Sequence, residues 1–240
     1  LVPIAGDKES RLLFELRWQL GELSGGFHYP RCTWSIGGME QGSIWGHGSY
    51  LAPDWSADWL HREASALLAL QSSHPIAGAT PAQNEAMHKA ALQEEMRTNS
   101  YEPATGVITV SDTRAAAIKQ VQTHFVSLYE GNDTAALALR KAYAFPVYGQ
   151  LSPEEARQVS AFYFWSAWGA TTNRPGDTIT YTSNWPHEPL VGNVPTTGTL
   201  LWSLASVILL LAAAGALIAY YAKQFDLWRS DILPEQGMAA

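Results

Sequence analysis

Cysteine is nearly absent from this chain. The single Cys32 excludes an intrachain disulfide, a CxxC metal knuckle and a CxxCH covalent haem site. Basic residues are scarce as well: 15 Lys and Arg stand against 22 Asp and Glu, for a net charge of −7. A phosphate-binding surface needs clustered cations, so nucleic acid is set aside as a partner. HExxH, GxSxG, P-loop and Rossmann glycine patterns are all missing. His47, His61, His74, His88, His124 and His187 do not stand at metal-ligand spacings from one another. No initiator Met or signal-peptide pattern opens the chain at Leu1-Val2-Pro3, so it reads as a segment of something longer.

Charge also vanishes locally, and there its absence is informative. Pro189 to Ala222 holds no Asp, Glu, Lys, Arg or His, and Leu200 to Tyr221 is almost wholly apolar. As helix, residues 198–222 span roughly 37 Å, enough to cross a hydrocarbon core of about 30 Å. Trp202 near one end and Tyr220 and Tyr221 near the other suit the two aromatic belts of a bilayer. Lys223 and Arg229 follow this run, whereas no Lys or Arg lies between Arg174 and Lys223. The positive-inside rule then puts the C-terminus in the cytoplasm and the large preceding domain outside. Ala212, Gly215, Ala216 and Ala219 would let another helix approach closely.

What precedes that run reads as mainly α. Asp54 caps a helix through Trp59, Ala64 and Leu68; Thr80 or Pro81 starts a second through Met87 to Met96. A third spans about Asp112 to Tyr129, with Ala116, Val121, Phe125 and Leu128 as its expected buried face. Ser152-Pro153-Glu154-Glu155 opens a fourth through Trp168: a cap, an N1 proline and first-turn acids. Phe162, Tyr163, Phe164, Trp165 and Trp168 surround that helix, so it should be central or pressed on a partner. His61-Arg62-Glu63 points in successive helical directions and reads as an exposed segment. Val107–Val110 and Ile179–Thr182 carry short β signals, and Asn173 to Thr197 reads as an extended, Pro-framed connection. Within it Trp185-Pro186-His187-Glu188-Pro189 falls just outside the expected bilayer.

Longer motifs add a family resemblance. The run from Ser35-Ile36-Gly37-Gly38-Met39-Glu40-Gln41-Gly42 through Gly46-His47-Gly48-Ser49-Tyr50 to Asp54-Trp55-Ser56-Ala57-Asp58-Trp59-Leu60-His61-Arg62-Glu63-Ala64 resembles quinol-dependent nitric oxide reductases. Glu95-Met96-Arg97-Thr98-Asn99, Ala142-Tyr143, Arg174-Pro175-Gly176 and Tyr181-Thr182-Ser183-Asn184-Trp185-Pro186-His187-Glu188-Pro189 follow in the family's order. The resemblance runs from about Trp34 to Lys223. It implies a cytochrome c-like extracytoplasmic helical domain without haem over residues 34–197, one transmembrane helix over 198–222 and a cytoplasmic tail over 223–240. Residues 1–33 form an atypical N-terminal segment outside the pattern.

The family's activity is reduction of two NO to N2O and water, with electrons from membrane quinol passing through haem b to haem b3 and a non-haem iron. The residues that hold those metals belong to a later part of the family's chain, so this segment is not expected to catalyse alone. Its implied partners are the catalytic transmembrane helices, membrane lipid and, through the catalytic part, quinol. Its implied location is the cytoplasmic (inner) membrane, in denitrification. In the two-subunit relatives the glycine and tyrosine matching Gly48 and Tyr50 help to hold a calcium ion, which suits hard oxygen donors. The competing expectation is a redox-silent, membrane-anchored interaction or assembly module.

Overall fold

The computed structural model describes residues 4–5, 11–12, 41–49, 51–131, 134–145 and 151–224. Tyr50, most of the atypical segment 1–33 and the tail from residue 225 lie outside them. The chain divides into two compact units, Leu1–Pro195 and Thr196–Ala240.

Six α-helices occur among the described residues: α1 Trp55–Ser72, α2 Pro81–Arg97, α3 Asp112–Glu130, α4 Thr134–Ala142, α5 Pro153–Thr171 and α6 Thr197–Gln224. Four of the starts are fixed by side chains that satisfy orphan N–H groups. Asp54 accepts from Ala57 N at 3.0 Å and Ser111 from Arg114 N at 3.1 Å. Thr80 with Gln83 and Ser152 with Glu155 form reciprocal capping boxes, each followed by a proline at the first helical position.

The first unit is built on α1, α3 and α5, which pack on one another; α2 lies along α1, and α4 against α3. Strands are minor. β1 (Ile4–Ala5) pairs antiparallel with β2 (Arg11–Leu12) and parallel with β6 (Val107–Thr109), which in turn pairs antiparallel with β5 (Tyr101–Glu102). A separate hairpin joins β3 (Ser43–Ile44) to β4 (His47–Gly48). The β signal expected at Ile179–Thr182 yields only an isolated bridge between Thr180 and Asn173, because a tight turn over 182–185 interrupts it.

Two layers make up the core. In the first, Trp55 stacks on Tyr163 at 5.4 Å and meets Phe125, Tyr129, Tyr143 and Phe145 edge-on or tilted. The Tyr129 and Tyr163 hydroxyls, both buried, satisfy each other at 2.7 Å. The second layer holds Trp59, fully buried and stacked on Phe125 at 5.3 Å. Its indole N–H donates to Glu63 Oε2 at 2.8 Å, and Glu63 Oε1 accepts from Arg114 Nε at 2.8 Å.

Glu63 is thus no surface residue: both side chains of its ion pair are 1 % exposed. The expectation of an exposed His61-Arg62-Glu63 segment holds at His61 and fails at Glu63, which sits one turn after Trp59 and shares its inward face. On α3 the buried face is Ala115, Ala117, Ile118, Val121, Phe125 and Leu128, while Ala116 is exposed. Val121, Phe125 and Leu128 thus lie inward as expected, and only Ala116 falls outside the face, which Arg114 joins by reaching Glu63. Tyr163, Phe164 and Trp168 of α5 are buried; Phe162 and Trp165 are half-buried, so α5 is central with one edge open.

In the second unit, α6 is long and apolar enough to cross a membrane. It is slightly longer than the expected 198–222, because Thr196 caps it: Thr196 Oγ1 accepts from Thr199 N at 3.2 Å.

Two outcomes follow. Glu63→Gln leaves Arg114 charged, buried and unpaired, and should cost about 3–5 kcal/mol in denaturant unfolding. Burial pushes the Tyr163 hydroxyl well above the usual tyrosine range, with Tyr129 adding to it. Above about pH 10 the unfolded chain gives up that proton while the fold keeps it, so stability falls as pH rises. Unfolding titrations should show a shallower alkaline loss in Tyr163→Phe.

Candidate functional site

The motif residues that resemble the reductase family are far apart in sequence but meet at the C-terminal end of α5. Arg97, the last residue of α2, is the hub. Its Nη1 donates to Asn193 Oδ1 at 3.0 Å, and its Nη2 to Thr178 O at 2.9 Å and Asn184 Oδ1 at 3.3 Å. The planar guanidinium can hold several acceptors at once, which a lysine cannot. Burial lowers its pKa from the arginine value, with the charge retained at neutral pH. Asn99 completes the join, donating to Tyr181 Oη at 3.0 Å and to Asn173 O at 3.4 Å.

Asn193 is fully buried and closes the other side. Its amide donates to Ala170 O at 2.8 Å, in the last turn of α5, and to Pro186 O at 3.1 Å. Between these anchors Ser183 and Asn184 take left-handed φ values of 59° and 61°. Such a pair is costly without support. Asn184 N donates to Thr180 Oγ1 at 2.7 Å, and Thr180 N returns a bond to Asn184 Oδ1 at 3.1 Å. Residues 173–193 are therefore a folded platform and not an open linker.

The β3–β4 hairpin adjoins this platform. Trp45 and Gly46 form its two-residue turn, with φ of 53° and 82°, the geometry that suits tight hairpins. A tryptophan in the left-handed region needs holding: its N–H donates to Ser56 Oγ at 3.0 Å and its indole to Ser166 O at 2.8 Å. Asp54 gathers the hairpin's base. Its Oδ2 accepts from Ser43 Oγ at 2.8 Å and Gly46 N at 2.6 Å, while Oδ1 accepts from Ser56 and Ala57. A Cβ on Gly46 would stand 3.1 Å from the Trp185 indole nitrogen, so Trp185 lies directly over the turn.

Gly48 faces Ser43 across the hairpin, and a Cβ there would come within 2.4 Å of Gly42 O. Its glycine identity thus has a steric reason independent of any ligand. In this register the Ser43–Gly48 pair is the one whose peptide groups point away from each other, leaving the exposed Gly48 backbone turned outward. Neutral backbone oxygen suits calcium, and both oxygens of the neighbouring Asp54 accept hydrogen bonds within the hairpin and α1. Tyr50 lies outside the described residues.

The remaining histidines are dispersed. His61 Nδ1 donates to Glu188 Oε2 at 2.8 Å, while Glu188 Oε1 accepts from Leu190 N at 3.0 Å, so α1 is also tied to the platform. His187 Nδ1 donates to Asn193 O at 2.9 Å. His124 is held below the usual histidine pKa by burial and by the Arg62 charge. Among the described residues no three His, Cys, Asp or Glu gather as a metal cluster.

Among the described residues the structure thus defines a mainly helical unit followed by one helix long and apolar enough to cross a membrane. Residues 31–187 match the family of the NorB cytochrome c-like domain of nitric oxide reductase, and the chain belongs to that family. No individual curated protein matches it.

Sequence reasoning did not single out Arg97, Asn193 or the Glu63–Arg114 pair as structural centres. A signal for the pair existed: a charged residue sits on the apolar stripe of each helix. Arg97→Ala should release the platform without unfolding α1, α3 and α5. Hydrogen exchange should quicken at the Thr180 and Asn184 amides, while that of Val121 to Phe125 stays slow.

Proposed function

We propose that the chain is the haem-less, extracytoplasmic cap of a quinol-dependent nitric oxide reductase, anchored in the cytoplasmic membrane by α6 with its C-terminus inside. The observation that carries this reading is the convergence of the family's separated motifs. From those motifs Arg97, Asn99, Tyr181 and Asn184 meet in one hydrogen-bonded platform, which Asn173 and Asn193 join from outside them. A lone membrane anchor would not need so elaborate a surface so few residues before its spanning helix. The orientation rests on Lys223 and Arg229 after the helix and their lack before it.

The reading of this domain as free of covalent haem rests on the lack of CxxCH. Gly42 stands about where that motif would fall, and a Cβ on it would be 2.3 Å from Trp55 Nε1. Haem b, haem b3 and the non-haem iron would reside in the catalytic part, where they supply electron transfer and NO coupling when bound. This chain's residues would exclude water above that part and hold its extracytoplasmic loops. Gly48 and Tyr50 would offer neutral oxygens to a calcium ion shared with the partner.

The test is to solubilise the protein from its native membrane in mild detergent, pull down through this domain, and record the haem b spectrum and NO consumption with a quinol donor. Co-purified haem b with quinol-driven NO loss is the expected result. A colourless, inactive preparation, under conditions that keep such reductases intact, would favour the redox-silent assembly module instead.

A further inference from the structure

Two helices of the first unit pack on each other and still leave a gap. Between α3 and α4 lies a cavity of about 110 Å³, lined by His124, Ser127 and Leu128 of α3 and by Ala135, Ala136 and Leu139 of α4. The short side chains of Ala135 and Ala136 do not reach across it. α4 does not settle inward to close the space, because its far end is fixed. Buried Arg140, the neighbour of Leu139, donates to Tyr129 O at 3.4 Å and to Gly131 O. Just beyond the helix, Phe145 stacks on Tyr129 at 5.6 Å.

The lining decides what such a cavity holds. Four of its six residues are aliphatic, and none is Asp, Glu, Lys or Arg. His124 adds no charge at neutral pH: burial and the Arg62 charge, outweighing Asp58, hold its pKa below the usual histidine range. Its Nε2 is sealed from solvent. Water inside would therefore find few polar partners, and a buried water needs about two to four of them. Dry apolar cavities of about 150 Å³ take up benzene or xenon, so this one suits something slightly smaller. Exposed Ala135 puts one side of the cavity at the protein surface.

We infer that the α3–α4 cavity is a binding site for one small, uncharged, apolar molecule, of up to about five heavy atoms by comparison with benzene in the larger cavity, and that its occupant ties α4 to α3. α4 has nine residues, too few to be stable as a helix alone, so what fills the gap decides how firmly it is held. The site lies apart from the platform and the hairpin, and it does not depend on the reductase reading.

The full chain, with isotope-labelled Leu and Ala methyl groups, is placed in nanodiscs and titrated by NMR with xenon, cyclopentane and acetamide. Saturable shifts of the Leu128, Ala136 and Leu139 methyl lines are expected with the first two. Hydrogen exchange at the Leu139 and Arg140 amides should slow about tenfold at a tenfold excess of cyclopentane over its Kd. Acetamide, polar and of similar size, should produce no saturable shift. Ala136→Leu fills the space and should abolish the shifts at Leu128 and Leu139, with slow exchange from Val121 to Phe125 as the check on its fold. Should that variant not fold, contacts between cyclopentane protons and the Ala136 and Leu139 methyl groups in the unaltered chain give the answer. Shifts that only rise linearly, shifts that persist in folded Ala136→Leu, or missing contacts would overturn the inference. Acetamide binding as tightly as cyclopentane would overturn the apolar assignment. None of these outcomes touches the haem b and NO result, so the two readings fail separately.

Discussion

The Glu63–Arg114 ion pair is the constraint to which the rest of the first unit answers. Two charges that are 1 % exposed cannot be left to themselves, because an uncompensated ion inside a protein costs several kcal/mol. The surroundings satisfy most of the demand: Trp59 donates to one carboxylate oxygen, and Glu95 O accepts from Arg114 Nη1 at 3.2 Å. Arg114 Nη2 is buried without a partner among the described residues, so their compensation is incomplete. The pair links α1 to α3 directly and both to the end of α2 through Glu95. A hydrophobic pair of similar volume could match it in stability but would not fix rotation and register of the helices in the same way.

From that centre the structure extends outward by a second polar hub. The turn of α2 that supplies the Glu95 carbonyl to Arg114 also ends in Arg97, which gathers Thr178, Asn184 and Asn193. The buried ion pair and the platform thus share one helix end. Held from both sides, residues 173–193 keep one arrangement against the end of α2 and the last turn of α5. The aromatic layer around Trp55 occupies the interior, and the motif residues with polar side chains act mainly on backbone carbonyls and amides.

Much of this was legible in the sequence because it depends on local chemistry. Asp54, Thr80, Ser111 and Ser152 each precede an apolar-periodic stretch, and each is a helix cap in the structure. The uncharged run after Pro189 contains α6, Thr197–Gln224, and was legible because so long an apolar stretch stands out in any sequence. Nine-residue α4 keeps its apolar residues to one side but is shorter than the stretch over which helical periodicity is read, roughly 11–18 residues. The platform was hidden for a different reason. Its bonds to α2 and to Asn99 join residues 74–97 positions apart, and Asn, Thr and Ser between prolines look the same in a loose loop as in a folded one. Reading 173–197 as an extended connection recognised its turns but not the distant arginine that organises them. Gly48 was legible as a special position; that its first constraint is the nearby Gly42 carbonyl was not.

A double-mutant cycle on Glu63→Gln and Arg114→Met, read by denaturant unfolding of the full chain, probes the central interaction most directly. If the fold depends on the pair, each single change is strongly destabilising and the double variant recovers much of the loss, with a coupling of about 2–3 kcal/mol. Coupling within a few tenths of zero, with the single losses simply adding, would contradict it and leave the aromatic layers as the sole organisers of the core.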